Sequence, residues 1–370
     1  MKVVLDGQIT GADGIGRLTR QLSDAIGRIS AEEGLDIHVE PADGTPRYSL
    51  AEGGRLLDAV RRQHADLLHL LDYRVPFAPL PVPVVANVHD VLRLRHPEFC
   101  YSDSAFTARF GTAGMAMLQE ATIALRARAT WPNGATRCPV SWHEEFYGRM
   151  VAHTATVASS IITPTNTVAV QLTEALGREA RASVAYYGAD HLPTGRPGRL
   201  KPGSYVLYVG QARLHKGLAD VVEAFHLTAA SRRGMTLALV GRDFTAGDTA
   251  IGPHVEVIGE VDDADLAGLY QGAAALVHLA SHEGFGFTPL EALSCGTPVL
   301  AADLPVLRET LGEQARFTDP ADPRATAGEL DMLLESGDSP ATRQARIAWA
   351  TRYTWESCAR RVIACYRDAL

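Results

Sequence analysis

The chain has 370 residues, enough for two domains of ordinary size with a large core in each. Apolar residues make up 46% and charged residues 21%, which excludes a largely disordered chain, and a formal charge of -8 argues against a nucleic-acid-binding protein. No apolar run reaches the ~18 residues of a membrane-spanning helix. The start, MKVVLDG, meets Asp6 too early for a signal peptide. We therefore expect an intracellular protein without a transmembrane segment, located in the cytoplasm.

The cysteines indicate a reducing compartment. They are odd in number, widely spread and lack any CxxC pair, so neither a disulfide framework nor a zinc site is predicted. They are Cys100, Cys138, Cys295, Cys358 and Cys365.

Short apolar runs alternate with helix-length amphipathic segments along the whole chain, a pattern typical of parallel sheets covered by helices. In the first half the predicted strands are Val3 to Leu5, Ile37 to Val39, Leu67 to Leu70, Val82 to Val88, Ser160 to Thr163 and Ser183 to Tyr187. In the second half they are Tyr205 to Val209, Leu237 to Val240, Val255 to Ile258, Ala275 to Leu279 and Val299 to Ala301. The pattern predicts two Rossmann-like α/β domains facing each other across a cleft, with ligands at the carboxyl ends of the strands.

Proline and glycine crowd between residues 193 and 203, and we place the domain boundary there. The predicted division is a first domain over 1–191, a linker over 192–204, a second domain over 205–351 and a tail over 352–370. Ala359, Val362, Ile363 and Tyr366 form a helical apolar stripe in the tail, which should pack on another element.

The segment SHEGFGFTPLE follows a buried strand and brings glycines and carboxylates to a strand-to-helix turn. Glycines let backbone N–H groups approach a ligand, and a helix N-terminus attracts anions, so the segment suits an anion or a polyol. A capping box of Thr288, Pro289 and Glu291 explains Glu291 equally well. Glu283 has no capping duty, and its alternative is a solvated loop carboxylate.

In VGQARLHKG, Arg213 and Lys216 follow another buried strand. A guanidinium and an ammonium together neutralise a diphosphate. The alternative is a pair of solvated surface cations, although cations just before a helix N-terminus oppose the helix dipole unless an anion binds there.

The first strand leads into TGADGIGR, residues 10 to 17, a glycine loop suited to an anion or to a plain tight turn. A dehydrogenase is excluded because no lysine has a tyrosine four residues before it, and Thr19 replaces the third glycine of GxGxxG.

His89 follows the apolar run 82–88 and should emerge at a strand's carboxyl end, with a structural histidine as the alternative. Asp263 and Asp265 spell DxD, but helix capping explains them better than a metal, and we expect none.

Three features in combination resemble the retaining glycosyltransferases of family 4, which have the GT-B fold. They are VGQARLHKG, the first-strand glycine loop, and SHEGFGFTPLEALSCGTPVL with seven residues between its two glutamates. The resemblance continues through VIGEVDDADLAGLYQGAAALVHLA and YTWESCARRVIACY, while GIGRLTRQL, NVHDVLRLRHPE and SSIITPTNTVAVQLTEALG resemble bacterial mannosyltransferase-like members. Ser102 to Arg149 match nothing comparable, and acceptor recognition is expected there.

The resemblance implies that 1–191 is the acceptor-side domain, that 205–351 binds the nucleotide sugar, and that the tail helix crosses back to the first domain. It also implies a role for each motif. Arg213 and Lys216 would hold the donor diphosphate, Glu291 the ribose, and Glu283 the donor sugar. Gly14, Ile15 and Gly16 would close over the diphosphate, and His89 would lie at the reacting sugar. The remaining donor-binding positions are Gly284, Phe285, Gly286, Phe287 and Thr288. Gln211 stands where many members have arginine, which leaves open which cation meets which phosphate.

The resemblance thus implies a retaining, metal-independent transfer of a sugar from a nucleotide-diphosphate sugar, a UDP- or GDP-sugar, to an acceptor hydroxyl. The acceptor is expected to be a small molecule, a glycan or a lipid-linked acceptor, and no cofactor is expected. The alternatives are a GT-B nucleotide-sugar epimerase and a catalytically silent sugar-nucleotide-binding subunit.

Overall fold

A computed structural model describes residues 1–9, 11, 14–46, 48–132, 138–198, 200–244 and 252–370. The chain forms two compact units, Met1–Tyr187 with Trp355–Leu370, and Gly188–Thr354. Within the described ranges each unit contains one six-stranded parallel sheet with helices between its strands, as the sequence pattern predicts. None of the helices in these ranges has the length and hydropathy of a membrane span.

The strands of the first unit are β1 (Lys2–Gly7), β2 (Asp36–Pro41), β3 (Leu67–Leu70), β4 (Val84–Asn87), β5 (Ser160–Thr163) and β6 (Ala182–Val184). They pair in the order β2-β1-β3-β4-β5-β6. Its helices before the tail are α1 (Gly14–Ile29), α2 (Ala51–Gln63), α3 (Leu92–Arg95), α4 (Asp103–Arg126), α5 (Trp142–Val157) and α6 (Asn166–Leu176). Every residue of β3, β4 and β5 is buried, because helices cover both faces of the sheet.

The strands of the second unit are β7 (Tyr205–Val209), β8 (Thr236–Val240), β9 (Val255–Gly259), β10 (Ala275–His278), β11 (Val299–Ala302) and β12 (Arg316–Thr318), paired in the order β12-β11-β10-β7-β8-β9. Its helices are α7 (Leu218–Leu227), α8 (Ala229–Arg232), α9 (Asp263–Gly272), α10 (Phe287–Ser294), α11 (Pro305–Leu311), α12 (Pro323–Glu335) and α13 (Pro340–Ala350). The sequence reading missed β12, because a three-residue edge strand with one apolar side chain gives no periodic signal.

The proline- and glycine-rich segment 192–204 is part of the second unit and not a linker outside it, and the first unit ends at Tyr187, four residues before the predicted boundary. The segment runs along α9: the Arg196 amide donates to the Ala264 carbonyl at 3.0 Å, and the Gly203 amide to the Gly272 carbonyl at 2.9 Å. A Cβ on Gly195 would overlap the Gly268 amide nitrogen, so the missing side chain lets this irregular segment lie against α9.

The tail helix α14 (Trp355–Ala369) belongs to the first unit, where it packs on α1, as the resemblance implies. The predicted apolar stripe is buried, and Tyr366 reaches His69 of β3, with 2.7 Å between its hydroxyl and Nδ1. Burial lowers the pKa of His69 to about 4, so the ring is neutral. Its Nε2 lies 2.8 Å from the Asn87 amide oxygen, which only accepts, so Nδ1 accepts the Tyr366 proton.

Candidate active site

The strand order of the second unit reverses between β7 and β10. From β7 the chain builds outward through β8 and β9, and then returns to place β10 on the other side of β7. Ligands of open α/β sheets bind at the carboxyl ends of the strands at such a switch point. The loop after β7 carries Arg213 and Lys216, and the loop after β10 carries Glu283, so the topology brings both predicted motifs to this edge.

The two loops are in direct contact. The Ser281 amide donates to the His215 carbonyl at 2.9 Å. Gly217 has a φ of +65°, and a Cβ at this position would overlap the carbonyl oxygen of Leu279. Glycine is therefore required here for both its backbone conformation and its lack of a side chain.

Replacing Gly217 by alanine is expected to lower the free energy of unfolding by about 1–3 kcal/mol, because strain in the left-handed region adds to the overlap with Leu279. Urea unfolding of the whole protein measures this loss. Gly203→Ala is the matched control, since Gly203 has a φ of +75° and open space around its Cβ position. Equal losses in the two variants would contradict the proposed contact between the loops.

Lys216, Glu283 and His278 form one polar cluster at this edge. Lys216 Nζ lies 2.6 Å from Glu283 Oε1, and His278 Nε2 lies 3.0 Å from the same oxygen. The Lys216 side chain is 28% exposed and that of Glu283 12%. Glu283 is therefore not a solvated loop carboxylate. Lys216, to which the resemblance assigns the donor diphosphate, already has a partner in the protein.

The cluster keeps Glu283 ionised. Burial alone would raise the pKa of Glu283, but the charge of Lys216 and the hydrogen bond from His278 outweigh it and hold the pKa well below its ordinary value. Glu283 can therefore accept hydrogen bonds from a ligand but cannot act as a proton donor near neutral pH. Sequence reasoning missed His278. A histidine that ends a buried strand, five residues before a glutamate followed by glycine, could have indicated a site residue.

Arg213 lies just before the short 3-10 turn Leu214–Lys216 and is exposed. Its position on the loop that carries Lys216 puts a second cation at the carboxyl end of β7. The structure thus supplies two cations at one edge, one exposed and one paired with Glu283.

The capping-box prediction at Thr288 and Glu291 is wrong. Helix α10 begins at Phe287, after Gly286 with a φ of +86°, and no side chain caps it. Thr288 is the second residue of the helix and is partly buried. A residue inside the helix cannot be its N-cap. A glycine in the left-handed conformation turns the chain into the helix instead, so Glu291 is the fifth helical residue, two positions beyond the one that a capping box uses.

Phe285, Gly284 and Phe287 lead into α10. Phe285 is buried, with its ring centroid 5.1 Å from that of Phe287 and 6.0 Å from that of Tyr353. The Phe285 ring therefore anchors this loop in the core of the second unit. Donor binding by the backbone of residues 284–286 stays a prediction.

Glu291 lies in a buried polar group that the sequence did not reveal. Its Oε2 accepts from the Tyr270 hydroxyl at 3.0 Å, and its Oε1 lies 3.2 Å from Nε2 of His191. Glu291 is 1% exposed. Contact with a ribose stays a prediction, and the present contacts of Glu291 hold α9 and α10 together.

In the first unit, three residues of the glycine loop, Thr10, Ala12 and Asp13, lie outside the described residues. Gly14 and Ile15 start α1 at the carboxyl end of β1, next to the reversal of strand order between β1 and β3. Gly16 is buried, and a Cβ there would overlap the Gly11 carbonyl oxygen. Close backbone packing thus accounts for Gly16, and closure over a diphosphate stays a prediction.

His89 emerges after β4, as predicted, and both ring nitrogens are engaged. Nε2 lies 2.8 Å from the Leu71 carbonyl oxygen, so it carries a proton, and Nδ1 lies 2.7 Å from the Tyr187 hydroxyl. These are the contacts of a structural histidine. A proton-transfer role for the ring would require breaking one of them, while a position beside the reacting sugar stays a prediction.

A crevice in the first unit is lined by aromatic and charged side chains. Arg74 and Glu52 lie 3.2 Å apart in it, beside Tyr48, Phe77 and Phe146. Burial raises the pKa of Glu52 to about 7, with Arg74 partly offsetting the rise. Phe146 belongs to α5, in the segment 102–149 where acceptor recognition is expected.

The DxD carboxylates, Asp263 and Asp265, lie in the first turn of α9, but neither is its cap. Asp262 is the N-cap of α9, accepting from the Asp265 amide at 2.9 Å. Arg196 pairs with both Asp262 and Asp265. Among the described residues no cluster of three or more histidine, cysteine, aspartate or glutamate side chains is arranged to hold a metal.

Comparison with known proteins agrees with this architecture. Alr3699/HepE of Anabaena, solved with UDP and glucose, aligns with a TM-score of 0.65 at 14% identity over 99% of both chains. WaaG, a glycosyltransferase involved in lipopolysaccharide biosynthesis, aligns with a TM-score of 0.62 at 15% identity over 99% of both chains. The fold is GT-B, with two Rossmann-like domains.

Most of the second unit matches a known protein family. Residues 196–349 match the family model described as glycosyl transferases group 1. O-antigen chain mannosyltransferase B of Escherichia coli is 29% identical over 48% of this chain, which spans about half, 50%, of that protein. The GDP-mannose:cellobiosyl-diphosphopolyprenol alpha-mannosyltransferase of Xanthomonas oryzae is 24% identical over 100% of this chain and 92% of that protein. The chain is thus similar to glycosyltransferases both in sequence and in fold.

Proposed function

We propose that this protein transfers a sugar from a nucleoside-diphosphate sugar to an acceptor hydroxyl, with retention of anomeric configuration and without a metal ion. The observation that supports this proposal best is the pairing of Lys216 with an ionised Glu283 at the switch point of the second unit. The cation suits a leaving diphosphate, and the carboxylate suits the hydroxyls of the donor sugar.

For the donor we favour GDP-mannose, with a UDP-sugar as the second choice. Two of the relatives are named as mannosyltransferases, one of them for GDP-mannose, while a structural neighbour was solved with UDP. For the acceptor we favour a lipid-linked glycan, because one relative is named for a diphosphopolyprenol-linked sugar. The aromatic crevice with Glu52 and Arg74 is our candidate for acceptor contacts in the first unit.

In the proposed reaction the acceptor hydroxyl attacks the anomeric carbon from the face that the diphosphate leaves. The C–O bond to the diphosphate breaks as the new C–O bond forms, and the acceptor proton passes to the leaving diphosphate oxygen. Lys216, Arg213 and the N-terminus of α10 stabilise the negative charge that develops there. Glu283 accepts from a sugar hydroxyl and fixes the position of the ring.

This proposal predicts transfer in the presence of excess EDTA and a product with the donor's anomeric configuration. The protein is incubated with GDP-mannose or a UDP-sugar, with and without a polyprenyl-diphosphate-linked glycan acceptor, and NMR coupling constants assign the product anomer. Activity lost on chelation and restored by magnesium would contradict metal independence, and an inverted anomer would contradict retention. A change of the donor sugar without acceptor would indicate an epimerase, and binding without turnover a silent subunit.

A further inference from the structure

His278 contacts Glu283 but has no part in the function proposed above. Its Nε2 and Lys216 Nζ both approach the same carboxylate oxygen, Oε1 of Glu283, at 3.0 and 2.6 Å. A carboxylate oxygen has two lone-pair directions, so these two donors occupy Oε1. Within the described part of the chain, the hydrogen bonds to the Glu283 carboxylate are these two, and they leave Oε2 for a ligand.

The two donors differ in how firmly they are held. Lys216 lies on a short turn, its side chain is 28% exposed, and its ammonium ends a flexible four-carbon stem. His278 ends β10, and its side chain is 5% exposed. An arriving diphosphate, with its two or more negative charges, can draw Lys216 toward itself, whereas the imidazole stays where the strand and the surrounding core hold it.

We propose that His278 is a positioning residue whose Nε2–H holds Oε1 of Glu283, so that Oε2 meets the donor sugar while Lys216 serves the diphosphate. The proposal rests on the proposed function, because it assigns Lys216 and Glu283 to the same donor. It gives the histidine a role that neither cation on the β7 loop can take over during the reaction.

In the ranges that the structure describes, three titratable groups face Glu283 and influence the pH at which its carboxyl is protonated. They are Lys216 from the loop after β7, His278 from β10, and Tyr208 from β7, whose pKa burial and the nearby Glu283 charge raise. Burial pushes the pKa of Glu283 upward, and Lys216 and His278 pull it down. Removing the His278 donor therefore raises the pKa of Glu283. A protonated Glu283 has one acceptor oxygen fewer, so it holds a sugar hydroxyl less well.

The test compares His278→Leu, which removes the donor, with His278→Gln, whose amide N–H reaches the place of Nε2 and does not titrate. For His278→Leu we expect kcat to fall about tenfold with little change in donor KM, and the acid limb of the kcat profile to move up by about one pH unit. His278→Gln is expected to recover most of kcat and the original acid limb. His226→Leu, at a histidine that contacts the Pro253 carbonyl, is the matched control.

A second measurement does not depend on turnover. The 13C signal of the Glu283 carboxyl is followed against pH in the folded protein and in both His278 variants. A higher midpoint in His278→Leu, restored in His278→Gln, together with the kinetic split, supports the proposal. An unchanged midpoint, or equal loss of kcat in both variants, would overturn it in favour of simple packing. A shifted midpoint in a protein that transfers no sugar would overturn the proposed function and, with it, the role of His278 in transfer.

Discussion

Lys216→Ala is expected to reduce kcat/KM for the nucleotide sugar about 10- to 100-fold. A charge-assisted hydrogen bond to a diphosphate contributes about 1.5–3 kcal/mol, and the developing charge of the leaving group strengthens it in the transition state. The ion pair with Glu283 adds a second effect, since the carboxylate then keeps only His278 as a partner. We therefore expect a moderate loss of thermal stability beside the large kinetic loss.

The control for Lys216 is Leu214→Ala on the same turn, where Leu214 is 92% exposed and should affect neither property. Initial rates at subsaturating donor and thermal unfolding are measured for both variants. An unchanged kcat/KM in Lys216→Ala would remove Lys216 from the donor site.

The stability part of this prediction depends on pH in a defined direction. Because the pKa of Glu283 lies below its ordinary 4.5 in the folded protein, the pair stabilises the fold above that pH. The contribution is lost only as the pH falls toward the depressed pKa. The difference in melting temperature between the parent and Lys216→Ala should therefore be constant between about pH 6 and 8 and shrink in acid.

Glu291→Ala is expected to lower the free energy of unfolding by about 2–4 kcal/mol, because it removes the acceptor of the buried Tyr270 hydroxyl together with a buried side chain. The change leaves the Tyr270 hydroxyl and the His191 ring without the carboxylate and opens a cavity between α9 and α10. Glu329→Ala is the control, because its pair with Arg316 is largely exposed and should contribute about 0–1 kcal/mol. Similar losses in both variants, measured by urea unfolding, would contradict the structural role of Glu291.

A ribose contact can be separated from this structural role with Glu291→Gln. Glutamine keeps an acceptor oxygen for Tyr270, so the structural loss is smaller than in the alanine variant. Titration calorimetry with GDP and UDP then measures the ligand contribution. Equal nucleotide affinities of the parent and Glu291→Gln would contradict a contact between Glu291 and the ribose.

The local pattern located most of the strands. Leu67–Leu70, Ser160–Thr163 and Tyr205–Val209 have the predicted bounds, because continuous apolar runs are buried on both faces of a parallel sheet. The boundary of the units could not be read in the same way. Proline and glycine mark an irregular segment. Whether that segment is a linker or packs along α9 depends on hydrogen bonds to residues more than 60 positions away, such as the one from Arg196 to Ala264.

The sequence by itself determined the α/β class, the two domains and the strand ends that carry Arg213, Lys216 and Glu283. These follow from periodicity and from glycines beside charged residues, which are local properties of the chain. Only the tertiary structure decided the partners. The strand order places β10 beside β7 and so brings Lys216 to Glu283, 67 residues further along the chain. The packing of α9 on α10 brings the Tyr270 hydroxyl to Glu291. A buried charge takes the nearest donor in three dimensions, and no spacing along the chain encodes which donor that is.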